Sequence, residues 1–122
     1  MEVLFTRELV ARLGSSTGVI INLVNPGLCT SNLERNSGQA PAVVRIVRRI
    51  LDRTTEVGSR TLVLGASAPA SSHGEFQSDG ENQDVEAWIY TDVGRRAQKK
   101  TFEQTLRILE ARKSGIAHEA GL

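Results

Sequence analysis

Cysteine occurs once in these 122 residues, at Cys29. One thiol excludes an internal disulfide framework and suits a reducing compartment, so a cytoplasmic location is expected. Aromatic residues make up only 4%, so any core must be built from aliphatic side chains. Neither sign of charge is in excess. Fifteen Lys and Arg face fourteen Asp and Glu, for a net charge of +1. That balance removes the electrostatic argument for a nucleic-acid partner or an acidic membrane surface. No apolar run approaches the ~20 residues a membrane span needs. The first residues, MEVLFTRELV, lack the basic leader and apolar centre of a secretory signal. Histidine is scarce too. The carboxylates Asp84, Glu86 and Asp92 have no His or Cys company, and no metal site is expected.

What is present is an ordinary globular balance, with 39% apolar and 24% charged residues in a length that fits one domain. Residues 2–13 repeat apolar side chains at helical spacing. Phe5, Leu9 and Leu13 form the stripe, Val3 and Val10 widen it, and Arg7, Glu8 and Arg12 are polar. Gly14 is placed to end this helix. Residues 19–24, VIINLV, do not alternate. The pattern predicts a strand buried on both faces, as in a parallel sheet between helix layers. Asn25, Pro26 and Gly27 end it, because proline lacks a ladder donor and glycine permits unusual dihedrals.

A second helix is expected over 41–53. Val43, Val44, Ile46, Val47, Ile50 and Leu51 are apolar there, and Arg45, Arg48 and Arg49 polar. Thr54 or Thr55 can cap a third helix reaching about residue 68. Residues 69–74 break the pattern, 75–80 read as a short strand or turn, and 81–90 as mostly irregular. A long amphipathic helix is expected over 92–113, capped by Thr91 or Asp92, with Ala97, Phe102, Leu106 and Leu109 inward. Residues 114–122 read as a flexible tail. One buried strand and one short edge strand cannot make a parallel sheet by themselves. Each buried backbone group left unpaired would cost roughly 1–3 kcal/mol. The chain therefore reads as part of a larger α/β fold, exposing a wide apolar face.

In order, the chain shows EVLFTRELVARL, VIINLV, NPGLCTSNL, a helix pair containing EVGSRTLVLGAS, and then SHGEFQSDG. This succession resembles the C-terminal half of a short-chain dehydrogenase/reductase, over residues 1–113, with the retinol-dehydrogenase-like branch the nearest look. The resemblance implies a C-terminal fragment of a doubly wound Rossmann-type parallel sheet. It also implies an activity that moves hydride between NADP or NAD and a small-molecule carbonyl or alcohol. The family's glycine-rich phosphate loop, catalytic serine and Tyr-x-x-x-Lys match no positions here. No catalytic residue is therefore assigned, and the fragment alone is expected to be inactive and to leave the nucleotide unbound. The one tyrosine, Tyr90, lies near the far end.

By the same resemblance, Pro26, Gly27 and Leu28 match the backbone that lies along the nicotinamide and bonds its carboxamide. Ser31 matches a frequent threonine whose hydroxyl bonds the carboxamide or the phosphates. Residues from 33 to about 53 match the mobile segment that sets substrate choice. Read on their own residues, several features have simpler roles. Cys29 is expected as a small half-buried filler, and His73 as a turn or packing residue. Arg45, Arg48, Arg49 and Arg53 form a solvated face, and Trp88 anchors packing between the last helix and the sheet. Two alternatives to an oxidoreductase fragment stand beside it. One is a non-catalytic interaction fragment that dimerises or docks on a full-length relative. The other is a truncated gene model with no independent function.

Overall fold

The structure, a computed structural model, describes residues 1–14, 18–29 and 41–122. The first amphipathic segment forms helix α1 (Glu2–Leu13), closed at Gly14, whose φ of 63° a side chain would resist. The last forms the 21-residue helix α4 (Asp92–Arg112). Its N-cap is Thr91, whose hydroxyl accepts the Gly94 amide at 3.4 Å. The two helices pack together. Phe102 is fully buried and stacks on Phe5 with ring centroids 5.1 Å apart. Leu4 and Ile89 complete the small buried set. Arg12 lies over the Phe102 ring at 4.5 Å, and Arg7 over Tyr90 at 5.0 Å.

The polar side of α1 departs from the expected stripe. Glu8, one of the polar members of the helix, is buried. It accepts bonds from Arg12 Nε at 2.9 Å and Gln98 Nε2 at 3.0 Å, which link α1 to α4. Burial pushes its carboxyl up, but the bonds from Gln98 and Arg12 and the charges of Arg12 and Lys99 outweigh this. Its pKa falls below the ordinary 4.5.

The sheet is smaller and more mixed than the doubly wound parallel sheet the resemblance implies. Strand β1 is Leu23–Asn25, shorter than the expected 19–24. It pairs in parallel with β2 (Phe76–Ser78), and β2 pairs antiparallel with β3 (Glu81–Gln83), giving the order β1-β2-β3. The turn between β2 and β3 is Asp79-Gly80, both at positive φ (55° and 84°). Asp-Gly is the sequence signature of such a two-residue hairpin. The expectation of one edge strand followed by irregular chain is thereby corrected to a hairpin and a 3₁₀ turn, Ala87–Tyr90.

Burial of 19–24 on both faces is also corrected. Val19 and Ile20 are 62% and 45% exposed, and 21–24 are half-buried. Among the described residues β1 has a strand on one edge only, so fewer neighbouring side chains shelter its faces. Gly74 donates to the Ile21 carbonyl at 2.7 Å and Leu23 donates to the Glu75 carbonyl at 3.0 Å. Among the described residues no strand pairs with its other edge.

Helix α3 (Thr55–Ala66), capped by Thr54, lies directly on β1. Gly58, Thr61 and Gly65 fall on one side of it and are buried. A Cβ on Gly65 would sit 2.3 Å from Val24 Cγ2, and one on Gly58 would sit 2.2 Å from Cys29 Sγ. These two glycines let the helix seat closely on the strand and the loop beyond it. Asn22 stitches the layer, donating to the Gly65 carbonyl at 2.9 Å and to Ser72 Oγ at 3.1 Å.

Helix α2 (Ala42–Leu51) presents Val43, Val44, Ile46, Val47, Ile50 and Leu51 to solvent. Leu62, Val63 and Leu64 on α3 are exposed as well, so the expected wide apolar face is present. Trp88 is 46% exposed, and its carbonyl accepts the Thr91 hydroxyl at 2.6 Å, which ties the 3₁₀ turn to the start of α4. Residues 114–122, expected as a flexible tail, contain a short helix, α5 (Ile116–Glu119). Glu110 holds it by accepting the amides of Gly115 and Ala117 at 2.8 and 2.7 Å. No described helix is long and apolar enough to cross a membrane.

Candidate functional site at the carboxyl end of the parallel strands

Because β1 and β2 run parallel, their carboxyl ends open at the same edge, where ligands bind in open α/β sheets. The chain leaves β1 through a tight turn. Asn25 Oδ1 accepts the Gly27 amide at 3.0 Å, and Gly27 adopts φ 74°. Proline before it and positive φ at the glycine turn the backbone sharply out of the strand direction. Pro26 and Gly27 are half-buried and Leu28 is 59% exposed. Ser31, the fourth residue assigned to this site from sequence, lies outside the described residues.

Cys29 is half-buried and donates its thiol to the Pro26 carbonyl at 3.3 Å, against the flat surface that Gly58 provides. That agrees with a small filler. His73 lies at the opposite end of the strands. Its Nδ1 accepts the Ile21 amide at 3.1 Å, a packing role that holds the start of the β1–β2 pair. It lines a depression of about 220 Å³ with Arg7, Val10, Ala11, Gly74, Glu75 and Gln98, away from the Gly27 turn.

Two residues at the site were not singled out from the sequence. Arg53 follows α2 and was read from the sequence, with Arg45, Arg48 and Arg49, as part of a solvated face. Its backbone amide donates to the Leu28 carbonyl at 2.8 Å, and Cys29 and Arg53 form a parallel bridge. Its guanidinium pairs with Asp79 in the β2–β3 turn, Nη1 to Oδ1 and Nη2 to Oδ2, the second at 3.2 Å. A Cβ on Gly27 would lie 3.5 Å from the same guanidinium. The hydrogen bond to Asp79, and then its charge, raise the Arg53 pKa, and the bond from Arg53 holds the Asp79 carboxyl below its ordinary value. The available signal was an Asp-Gly turn directly after a short strand, with an arginine placed just beyond a helix end.

Among the described residues no group of three or more His, Cys, Asp or Glu comes together as a metal ion would require. The site instead offers backbone groups on a tight turn, an exposed Leu28 side chain and an ion pair of Arg53 with Asp79. The Leu28 carbonyl, although it accepts the Arg53 amide, keeps a second lone pair for a ligand donor.

A parallel strand pair, a helix seated on it through two glycines and a turn at the strand ends define an α/β protein. The chain belongs to the short-chain dehydrogenase/reductase family, and its motif order is that of the family's C-terminal portion. It is 36% identical over 118 residues to the short chain dehydrogenase/reductase dmxR8 of Cryptosporiopsis sp. (strain 8999), covering 95% of this chain and 36% of that one. It is 33% identical over 124 residues to the short-chain dehydrogenase anuD of Penicillium roqueforti (strain FM164), covering 95% and 32%. A short chain dehydrogenase of Arthrobotrys oligospora is 36% identical over 103 residues, covering 84% and 32%. The chain thus spans about a third of the length of the curated relatives it matches, less than the half expected from its motifs. No family model matches it, and no solved structure gives a match.

Proposed function

We propose that the chain supplies the C-terminal part of an NAD(P)-dependent short-chain oxidoreductase of the retinol-dehydrogenase-like kind. The reaction is hydride transfer between the nicotinamide and a small-molecule carbonyl or alcohol. The observation that carries this reading is the Asn25–Gly27 turn at the shared carboxyl end of two parallel strands. In this reading Pro26, Gly27 and Leu28 present backbone along the nicotinamide and its carboxamide, and Ser31 adds a hydroxyl. The nucleotide, when bound, supplies the hydride chemistry, and these residues orient the ring. The edge of β1 that meets no strand among the described residues receives the next parallel strand of a Rossmann-type sheet, and the segment from 33 to about 53 borders the substrate.

General acid–base work requires a positioned proton donor at the reacting oxygen, and the family's serine, tyrosine and lysine match nothing in these residues. The 122-residue protein alone therefore does not turn over substrate. Mixing it with NADH or NADPH and a panel of ketones and aldehydes tests this. The expected result is no substrate-dependent loss of nucleotide absorbance, and turnover would overturn the proposal.

A second reading is favoured by the apolar face of α2 and α3. The chain then acts as an interaction fragment that pairs with itself or docks on a full-length relative. Size-exclusion chromatography with such a relative at micromolar concentration separates the two readings, since a fragment that elutes alone as a monomer removes the second.

A further inference from the structure

The geometry points to Arg53 and Asp79 as a positioning pair that holds the proposed nicotinamide loop, residues 26–29, in its working conformation. The inference rests on the function proposed above and deepens it. The loop itself is weakly tied. Its internal contacts are the Asx-type bond from Gly27 to Asn25 and the thiol bond from Cys29 to Pro26. On one side it rests on α3, where Gly58 faces Cys29 Sγ and the Pro26 carbonyl; Gly27 holds a positive φ and Leu28 stands exposed.

Arg53 meets this loop in three ways. Its amide donates to the Leu28 carbonyl, its backbone bridges Cys29 and its guanidinium lies beside Gly27. The chain leaves the strand-end loop at Cys29 and returns to it at Arg53, so both ends of the intervening segment are fastened at one point. The guanidinium would swing freely if it touched only Gly27. Asp79 prevents that with a two-oxygen grip from the β2–β3 turn. A planar fork matched to a carboxylate fixes direction as well as distance, which an ammonium does not. Asp79 can face Arg53 because the hairpin turn holds it at φ 55°, a conformation aspartate and asparagine tolerate. The pair thus joins the turn after β2 to the loop after β1, at the edge where the ring is proposed to lie.

Amide hydrogen exchange on the 122-residue protein tests this without nucleotide. Its failure is therefore distinct from failure of the oxidoreductase reading, which nucleotide binding and turnover address. The readout is the exchange of the Gly27 amide and of the amide at position 53, with α1 and α4 amides as internal controls. Arg53→Ala is expected to speed loop exchange by up to about 5-fold, and Asp79→Asn, which keeps the turn conformation, nearly as much. Arg53→Lys is expected to fall between wild type and alanine. The double variant Arg53→Ala/Asp79→Asn is expected to exchange no faster than Arg53→Ala alone, because both changes remove one interaction. Independent structural roles would instead multiply the two effects. The inference is overturned if Arg53→Ala leaves the loop unchanged, if the double variant shows multiplied effects, or if the wild-type loop has no protection.

Discussion

Replacing Gly65 with alanine should unseat α3 from β1. The new Cβ would stand 2.3 Å from Val24 Cγ2, which is ~1 Å or more inside ordinary carbon contact. Valine yields only by leaving its present rotamer, because branching at Cβ restricts χ1. The helix must therefore move outward. That movement strains the 2.9 Å bond from Asn22 to the Gly65 carbonyl. Overpacking of this kind costs ~1–3 kcal/mol. The lost hydrogen bond, worth ~1 kcal/mol, is offset by a similar gain in helix propensity from glycine to alanine. A net loss of about 1–3 kcal/mol corresponds to roughly 5- to 150-fold faster opening of the α3–β1–β2 layer. Amide exchange in β2 and α3 reads this directly, with α1 and α4 as the unaffected reference. Val24→Ala should restore most of the protection in the double variant. A Gly65→Ala protein with unchanged or slower exchange in β2 would refute the close seating on which the site geometry depends.

Other expectations follow from separate parts of the molecule. Phe102→Ala removes a fully buried ring stacked on Phe5 and should cost about 3–5 kcal/mol at the α1–α4 contact, read as loss of helical circular dichroism at lower denaturant. Glu8 has a folded pKa below 4.5, so its contribution is complete above that value and disappears as pH falls through the lowered one. Acid titration should loosen α1 from α4 in that window, and Glu8→Gln should flatten the dependence. Ile46→Gln with Ile50→Gln on α2 should reduce self-association and binding of apolar dyes, because both side chains stand in solvent (61% and 76% exposed).

The helices were legible because each carries a strong local signal. The 3.6-residue period of α1 and α4 and the caps at Thr54 and Thr91 need no tertiary information. The strands were not, because their burial depends on neighbours. VIINLV has the composition of a strand between two helix layers, but only β2 flanks β1 among the described residues, and its first members remain exposed. The burial of Glu8 was not legible, because helical period alone cannot show that Gln98, ninety positions later, meets it. At the candidate site, the Pro26–Gly27 turn was visible in the sequence. The Arg53–Asp79 pair was not, since it joins residues 26 positions apart through the topology of the sheet. The hairpin could have been read from Asp79-Gly80, the one local signal passed over.

In the proposed function the turn after β1 orients a nicotinamide within a short-chain dehydrogenase/reductase domain. The most direct test is a chimera in which these 122 residues replace the matching third of dmxR8. Nucleotide affinity is measured by quenching of NADPH or NADH fluorescence. The account predicts that the folded chimera binds the nucleotide. It further predicts that Gly27→Val, which forces a β-branched residue to φ 74°, weakens binding about 10-fold while the chimera stays folded. A folded chimera that binds no nucleotide, or one whose affinity is indifferent to Gly27→Val, would contradict it.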